Sequence, residues 1–360
     1  MRLPTEPIGS IPRPPEVIRA WSDRHAGRLS AERFEEIMDD ALRDTIRRFE
    51  ETGSPVITDG EQTKSSFATY PLDGATNLAP DGVVVPFEDG HTRQLPRLTR
   101  GPFRYATHAS TYLTAARALT SLPVKQAVIS ASALSLLYPD SGIPGYPRGA
   151  FLEDLVAEAV DDIRRCFVQG ADSVQIDFTE GRLSLKLDPT GALLNQFIAL
   201  NNRVLDRFSA GDRRRIGVHT CPGGDRDSTH SADVDYAGLL PALFQLRAGR
   251  FYVQLASEPD PERVLRLIAE HRGPDSMVFV GVTDPINPAV ETAAQVRDRT
   301  LLATRHIPVE ALGTTDDCGF APFADDASTS REIAFRKIRA RVEGTALASR
   351  ELGAVPRGEP

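Results

Sequence analysis

The chain has 360 residues, 41% hydrophobic and 26% charged, an ordinary globular balance with ample material for a large core. Its formal net charge of −8 gives no general electrostatic reason to bind a nucleic-acid backbone or an anionic membrane, and no apolar run approaches the roughly 18 residues of a membrane span. The opening stretch MRLPTEPIGSIPRPPEVIRAW is broken by prolines and has no apolar signal-peptide region, so a cytoplasmic protein is expected, with its cysteines Cys166, Cys221 and Cys318 reduced.

At about 150 residues per domain the length fits two domains, or one closed α/β barrel with insertions. Eight short β-branched or apolar runs decide between them. They begin with an opening segment, Glu6 to Ser10 (EPIGS), followed by Ser54 to Asp59 (SPVITD), Pro123 to Ile129 (PVKQAVI) and Ser173 to Phe178 (SVQIDF). Arg215 to Thr220 (RIGVHT), Arg250 to Ala256 (RFYVQLA), Ser276 to Thr283 (SMVFVGVT) and Val309 to Thr314 (VEALGT) complete the series. Helix-length amphipathic stretches separate most of them. In Leu152 to Val168, for example, Leu152, Leu155, Val156, Ala159, Val160, Ile163 and Phe167 fall on one face.

Strands alternating with helices predict parallel pairing through helical crossovers, and eight repeats predict closure into a (β/α)8 TIM barrel. The alternative is an open doubly wound sheet, whose GxGxxG fingerprint the first βα turn lacks. The gap between the second and third runs is too long for one crossover helix. Its stretch Leu72 to Arg100, punctuated by PLDG, APDG, VVVPF and EDG, predicts a hairpin or lid within an insertion at about 63–101. The Pro-, Gly- and Tyr-containing loop Leu134 to Arg148 joins it over the C-terminal face, where barrels build their sites. One barrel domain is expected over residues 1–360, with a C-terminal tail at about 350–360.

The sharpest chemical feature is Arg215-Ile-Gly-Val-His219-Thr-Cys221-Pro-Gly-Gly. Residues i and i+2 of a strand point the same way, so an imidazole and a thiolate at its end converge on one atom. A second sulfur, Cys318 in Thr-Thr-Asp-Asp-Cys-Gly, follows the last run at the same level of the barrel. Imidazole and sulfur donors favour Zn2+, and three protein ligands leave a fourth position for substrate or water. A lone cysteine is ordinarily a core residue, and that reading is kept for Cys166, on the apolar side of its helix. Carboxylates also reach the rim: Glu61 in Asp59-Gly-Glu61, Asp177 at the end of the fourth run and Asp284 after the seventh. Each has the alternative role of capping a helix or binding backbone amides. Several facing one metal suit a substrate ammonium group.

The order Ile8-Gly9-Ser10, Asp59-Gly-Glu61, Val174-Gln-Ile-Asp177, His219-x-Cys221 and Asp317-Cys-Gly319 resembles the catalytic barrel of cobalamin-independent methionine synthase and its single-barrel relatives. The resemblance implies that His219, Cys221 and Cys318 hold a zinc ion that binds a substrate thiol and makes it a thiolate. It also implies that Ile8, Gly9, Ser10, Glu61 and Asp177 hold a homocysteine-like amino acid, with Asp177 and Asp284 as the catalytic carboxylates. The partners expected are a small thiol and an alkyl donor, and the oligomeric state stays open.

The chain departs from the family pattern in several places. Gln254 stands where the synthases have a glutamate zinc ligand, and is the fourth ligand to be tested. Asp284-Pro-Ile-Asn-Pro288 lacks their histidine, Asp177-Phe-Thr replaces their Asp-Glu-Pro, and Ile129 to Leu134 lacks their folate-stacking tryptophan. The leading expectation is zinc-dependent methyl transfer to homocysteine or a related thiol. The alternative is an epoxide:thiol transferase or C–S lyase with a different thiol and electrophile.

Overall fold

Six of the eight runs form strands of one sheet in the computed structural model, which describes residues 2–354. They are β1 (Lys125–Ile129), β2 (Ser173–Asp177), β3 (Ile216–Thr220), β4 (Arg250–Val253), β5 (Met277–Thr283) and β6 (Leu312–Asp316). The sheet runs in sequence order from β6 to β1, and every neighbouring pair is parallel. β1, β2, β3 and β6 are buried along their whole length, as expected for strands covered on both faces.

The two remaining runs extend the sheet by single bridges. Thr5 bridges Thr314 of β6 and Ile57 bridges Val124 beside β1, both in parallel sense. Prolines explain why neither becomes a full ladder: Pro4, Pro7 and Pro55 have no N–H to donate. The two segments then meet each other. Ile11 N–H donates to Gly60 C=O (2.9 Å), and Thr58 Oγ1 donates to Gly9 C=O (2.9 Å). Backbone and side-chain hydrogen bonds thus carry the α/β ring around from β6 to β1.

Crossover helices cover the outside. Arg148–Val168 starts behind Pro147 and buries Phe151, Leu155, Val156, Ala159, Val160, Ile163 and Cys166. Cys166 is therefore a core residue, whereas Leu152 and Phe167 sit at the edge of the apolar stripe, partly buried. The last helix, Arg331–Ala354, continues through the first half of the stretch expected to be a tail. Residues 355–360 of that expected tail lie outside the described residues.

The insertion is a lid built of two antiparallel ladders. Leu78–Ala79 pairs with Arg97–Leu98, and Val84–Pro86 pairs with Thr92–Gln94. The second ladder leans over the ring opening and docks on the loop after β3. Glu88 N–H donates to Thr229 C=O (3.0 Å), and His91 Nε2 lies 3.0 Å from Asp225 Oδ2. Arg93 bridges the buried Asp225 (2.5 Å) and the more exposed Asp325 (2.9 Å).

Candidate metal centre and amino-acid cleft

Near the end of β3, His219 stands in register between Asp177 of β2 and Tyr252 of β4. Two residues on, Cys221 leaves the strand toward the same side, and the loop after β6 brings Cys318 against it. The ligand atoms of His219, Cys221 and Cys318 all lie within 4.8 Å of one another. Among the described residues this is the one group of His, Cys, Asp and Glu side chains gathered closely enough to hold a metal ion.

The donors fit a soft divalent ion. The two sulfurs are 2.8 Å apart, and both imidazole nitrogens of buried His219 lack a hydrogen-bond partner among the described residues. A buried ring nitrogen without a partner is costly unless something else satisfies it. Burial pushes the Cys221 thiol up, while the hydrogen bond from Cys221 holds Cys318 well below the usual thiol range. The thiolate is the form that binds metal.

Asp317, next to Cys318, fixes the neighbouring loop. Its Oδ1 accepts from the N–H groups of Leu255 and Ala256 (both 2.8 Å), and its Oδ2 from the Ser257 N–H (2.8 Å) and hydroxyl (2.7 Å). On the other side of Cys318, Gly319 allows a close approach: a Cβ there would fall 2.2 Å from Ser10 Oγ. Ser10 C=O accepts from Phe320 N–H (3.0 Å) and its hydroxyl from Ala321 N–H (3.2 Å).

Ile8, Gly9, Ser10, Glu61 and Asp177 line a cleft together with His219 and Cys318. Glu61 is placed by strained backbone, at φ +55° directly after Gly60 at φ +64°. Asp59 Oδ1 accepts from the Glu61 N–H (3.0 Å) and holds the turn. Burial pushes the Glu61 carboxyl up to about 7, against the opposing pull of Lys64, whose Nζ is 3.4 Å from Oε1. Burial raises Asp177 as well, and Gln175 Nε2 donates to its Oδ1 (2.8 Å).

The structure does not bring Asp284 or Gln254 to this cleft. Asp284 forms a turn, its Oδ1 accepting from Ile286 N–H (3.0 Å), while its own N–H donates to Glu291 (2.8 Å). That is the local backbone role open to any strand-end aspartate. The Gln254 amide is also committed: Oε1 accepts from Arg182 (3.3 Å), and Nε2 donates to Ser257 Oγ (2.6 Å). Arg182 also pairs with Glu258 at 2.9 Å, so both residues after β4 are engaged by one buried guanidinium.

Three site residues carry no motif. Arg13 ties the Glu61 and Lys64 carbonyls (2.5 and 3.2 Å) to the Ala321 and Phe323 carbonyls, joining two rim loops. Lys64 and Arg182 are buried cations; Lys64 reaches Ala127 C=O (3.1 Å) as well as nearby Glu61, and Arg182 reaches Glu258, long-range contacts that only the folded chain reveals.

Residues 3–332 match the family model described as the catalytic domain of cobalamin-independent synthase. The chain belongs to that family. Curated relatives are named methionine synthase or homocysteine methyltransferase, so the family is one of methyltransferases. A methionine synthase of Pyrococcus abyssi is 22% identical, with 99% of this chain and 96% of that one covered. A 5-methyltetrahydropteroyltriglutamate–homocysteine methyltransferase of Nitratidesulfovibrio vulgaris is 25% identical over 95% of this chain, but only 42% of its own length is matched. A B12-independent methionine synthase from Shewanella sp. W3-18-1, solved with selenomethionine, superposes with a TM-score of 0.77 at 19% identity, covering 99% of this chain and 100% of that one. A Listeria monocytogenes structure described as a putative vitamin-B12 independent methionine synthase gives 0.71 at 21%, covering 96% and 98%. At these identities the structural likeness establishes the fold. Among the described residues no helix is long and apolar enough to cross a membrane.

Proposed function

We propose that this family member is a thiol S-methyltransferase that takes homocysteine or a closely related amino-acid thiol. The reading rests on one observation: the cluster of buried His219 and Cys221 with half-buried Cys318 opens onto the cleft lined by Ile8, Gly9, Ser10, Glu61 and Asp177. His219, Cys221 and Cys318 would hold zinc, which when bound lowers the pKa of a substrate thiol so that it is a nucleophile at neutral pH.

The chain's own residues do the positioning. Glu61 and Asp177, buried and raised, become fully charged when a substrate ammonium arrives between them. Lys64 keeps the Glu61 carboxylate oriented, and Gln175 does the same for Asp177. The Ile8–Ser10 rim, pinned by Phe320 and Ala321, receives the carboxylate end of the amino acid. Fixing the ammonium and the carboxylate leaves the sulfur one orientation, and this alignment is the protein's contribution to rate. The selenomethionine in the Shewanella relative, a selenium analogue of a methylated product, supports an amino-acid ligand here.

The reading includes a cytoplasmic location, where the free thiols of Cys221 and Cys318 persist. No observation favours the epoxide-opening or C–S lyase alternative. The test is metal content and methionine formation. Cys221→Ser and Cys318→Ser should each strip the purified protein of zinc and of homocysteine methylation; full zinc in either variant contradicts the proposal.

A further inference from the structure

The interior of a parallel barrel is ordinarily filled by branched apolar side chains. Here a run of buried polar side chains crosses the ring behind the amino-acid cleft. Glu6, from the first segment, accepts from Arg250 Nη1 on Oε1 (2.9 Å) and from the Tyr252 hydroxyl on Oε2 (2.6 Å). The ammonium of fully buried Lys125, at the start of β1, lies 3.7 Å from the same Oε2 and 4.0 Å from the centroid of the Tyr252 ring. It donates to Gln175 Oε1 (2.7 Å), and Gln175 Nε2 donates in turn to Asp177 Oδ1 (2.8 Å). Gln175 and Asp177 line the cleft, whereas Lys125 is not among its lining residues.

The direction of this chain of hydrogen bonds is set at Lys125. An ammonium has only donors, whereas a primary amide presents an oxygen on one side and N–H groups on the other. The Gln175 amide therefore has to turn its oxygen to Lys125, which leaves its N–H for Asp177. With the amide reversed, an N–H would face the ammonium and an oxygen would face the carboxylate, two repulsive contacts in a low-dielectric interior. Among the described residues no other side chain donates to Asp177. Burial lowers Lys125 to about 8, against the raising effect of Glu6, so the lysine keeps its proton at neutral pH.

We propose that Lys125 is a positioning residue for the amino group of the thiol substrate: by fixing the Gln175 amide it holds the Asp177 carboxylate in place to receive the substrate ammonium. This rests on the amino-acid-thiol reading above. Glu6 anchors Lys125 from the far side, itself held by Arg250 and Tyr252. Lys125 thereby determines specificity without touching the substrate. A thiol of the same length that lacks the amino group leaves buried carboxylates unpaired and is rejected. An amide free to reverse weakens that rejection, because Asp177 then has no fixed donor and no fixed orientation.

The test is calorimetric titration of the full-length, zinc-loaded protein with homocysteine and with 4-mercaptobutanoate, the same thiol acid without the amino group. The wild type should prefer homocysteine by roughly a hundredfold or more. Lys125→Met, which keeps the reach of the side chain but removes its N–H groups, should cut that preference about tenfold by weakening homocysteine alone, with zinc content unchanged. Gln175→Glu keeps a partner for Lys125 but offers Asp177 no amide N–H, and should cut the preference as far; it carries the test by itself if Lys125→Met does not fold. Equal weakening of both thiols, the mark of a merely structural lysine, or an unchanged preference in either folded variant overturns the proposal. The two readings fail differently: a wild type without any preference sinks the amino-acid reading itself, whereas a wild-type preference that survives both substitutions sinks only the role of Lys125.

Discussion

Glu61 and Glu180 are both buried carboxyls pushed up to about 7, yet they serve different readouts. Glu61 faces the cleft, so Glu61→Gln should raise KM for homocysteine roughly 10- to 100-fold, the scale of one lost charge-assisted hydrogen bond of about 1.5–3 kcal/mol. Zinc content should not change; steady-state kinetics beside metal analysis checks both. Glu180 acts on stability. Its ordinary value is 4.5, and burial raises it to about 7 in the folded chain. Between those pH values the folded state keeps a proton that the unfolded state has lost, so stability falls as pH rises through that window, by roughly 3 kcal/mol in total. Urea midpoints of the wild type should therefore drop relative to Glu180→Gln between pH 4.5 and pH 7.5. Parallel pH profiles would contradict the burial argument. Of the site residues, those with short-range spacing were legible in the sequence: His219 and Cys221, two apart on a strand, needed only Cys318 at the neighbouring strand mouth. Asp284 misled because a strand-end aspartate reads the same whether it faces a substrate or, as here, closes its own turn on Ile286.

At the scale of elements, the lid is held by charge more than by core. Its outer strand Val84–Pro86 is largely exposed, while Arg93 on the partner strand reaches the buried Asp225. Arg93→Ala leaves Asp225 only His91 as a cationic or N–H partner from the lid. The hairpin should then open more easily by roughly 2 kcal/mol, seen as about thirtyfold faster amide exchange in the lid backbone with the sheet unaffected. Unchanged exchange would show that other contacts hold the lid. The lid's existence was readable from turn punctuation in an overlong gap, but its docking was not, because Arg93, Asp225 and Asp325 are far apart in sequence. The strands divide in the same way. Continuous apolar or β-branched runs gave β1 to β6, whereas the proline-bearing segments around Thr5 and Ile57 reach the sheet by single bridges whose partners no local pattern specifies. Gln254 occupies the expected strand end, and only the arrival of Arg182 from a distant helix shows where its amide turns.

For the molecule as a whole, the ring brings residues from its first segment to its last onto one rim: Ser10 against Gly319, Asp177 beside His219, and Cys221 against Cys318. The central claim is that this rim presents a zinc ion with one nitrogen and two sulfur ligands from the chain to an amino-acid thiol. Zinc-edge X-ray absorption of the purified, zinc-loaded protein, recorded with and without homocysteine, tests it most directly. Two sulfurs are expected in the free protein and three once homocysteine is added, with Glu61→Gln needing more homocysteine to reach the same spectrum. A spectrum that keeps two sulfurs at saturating homocysteine, or one that shows no sulfur ligands at all, would contradict it.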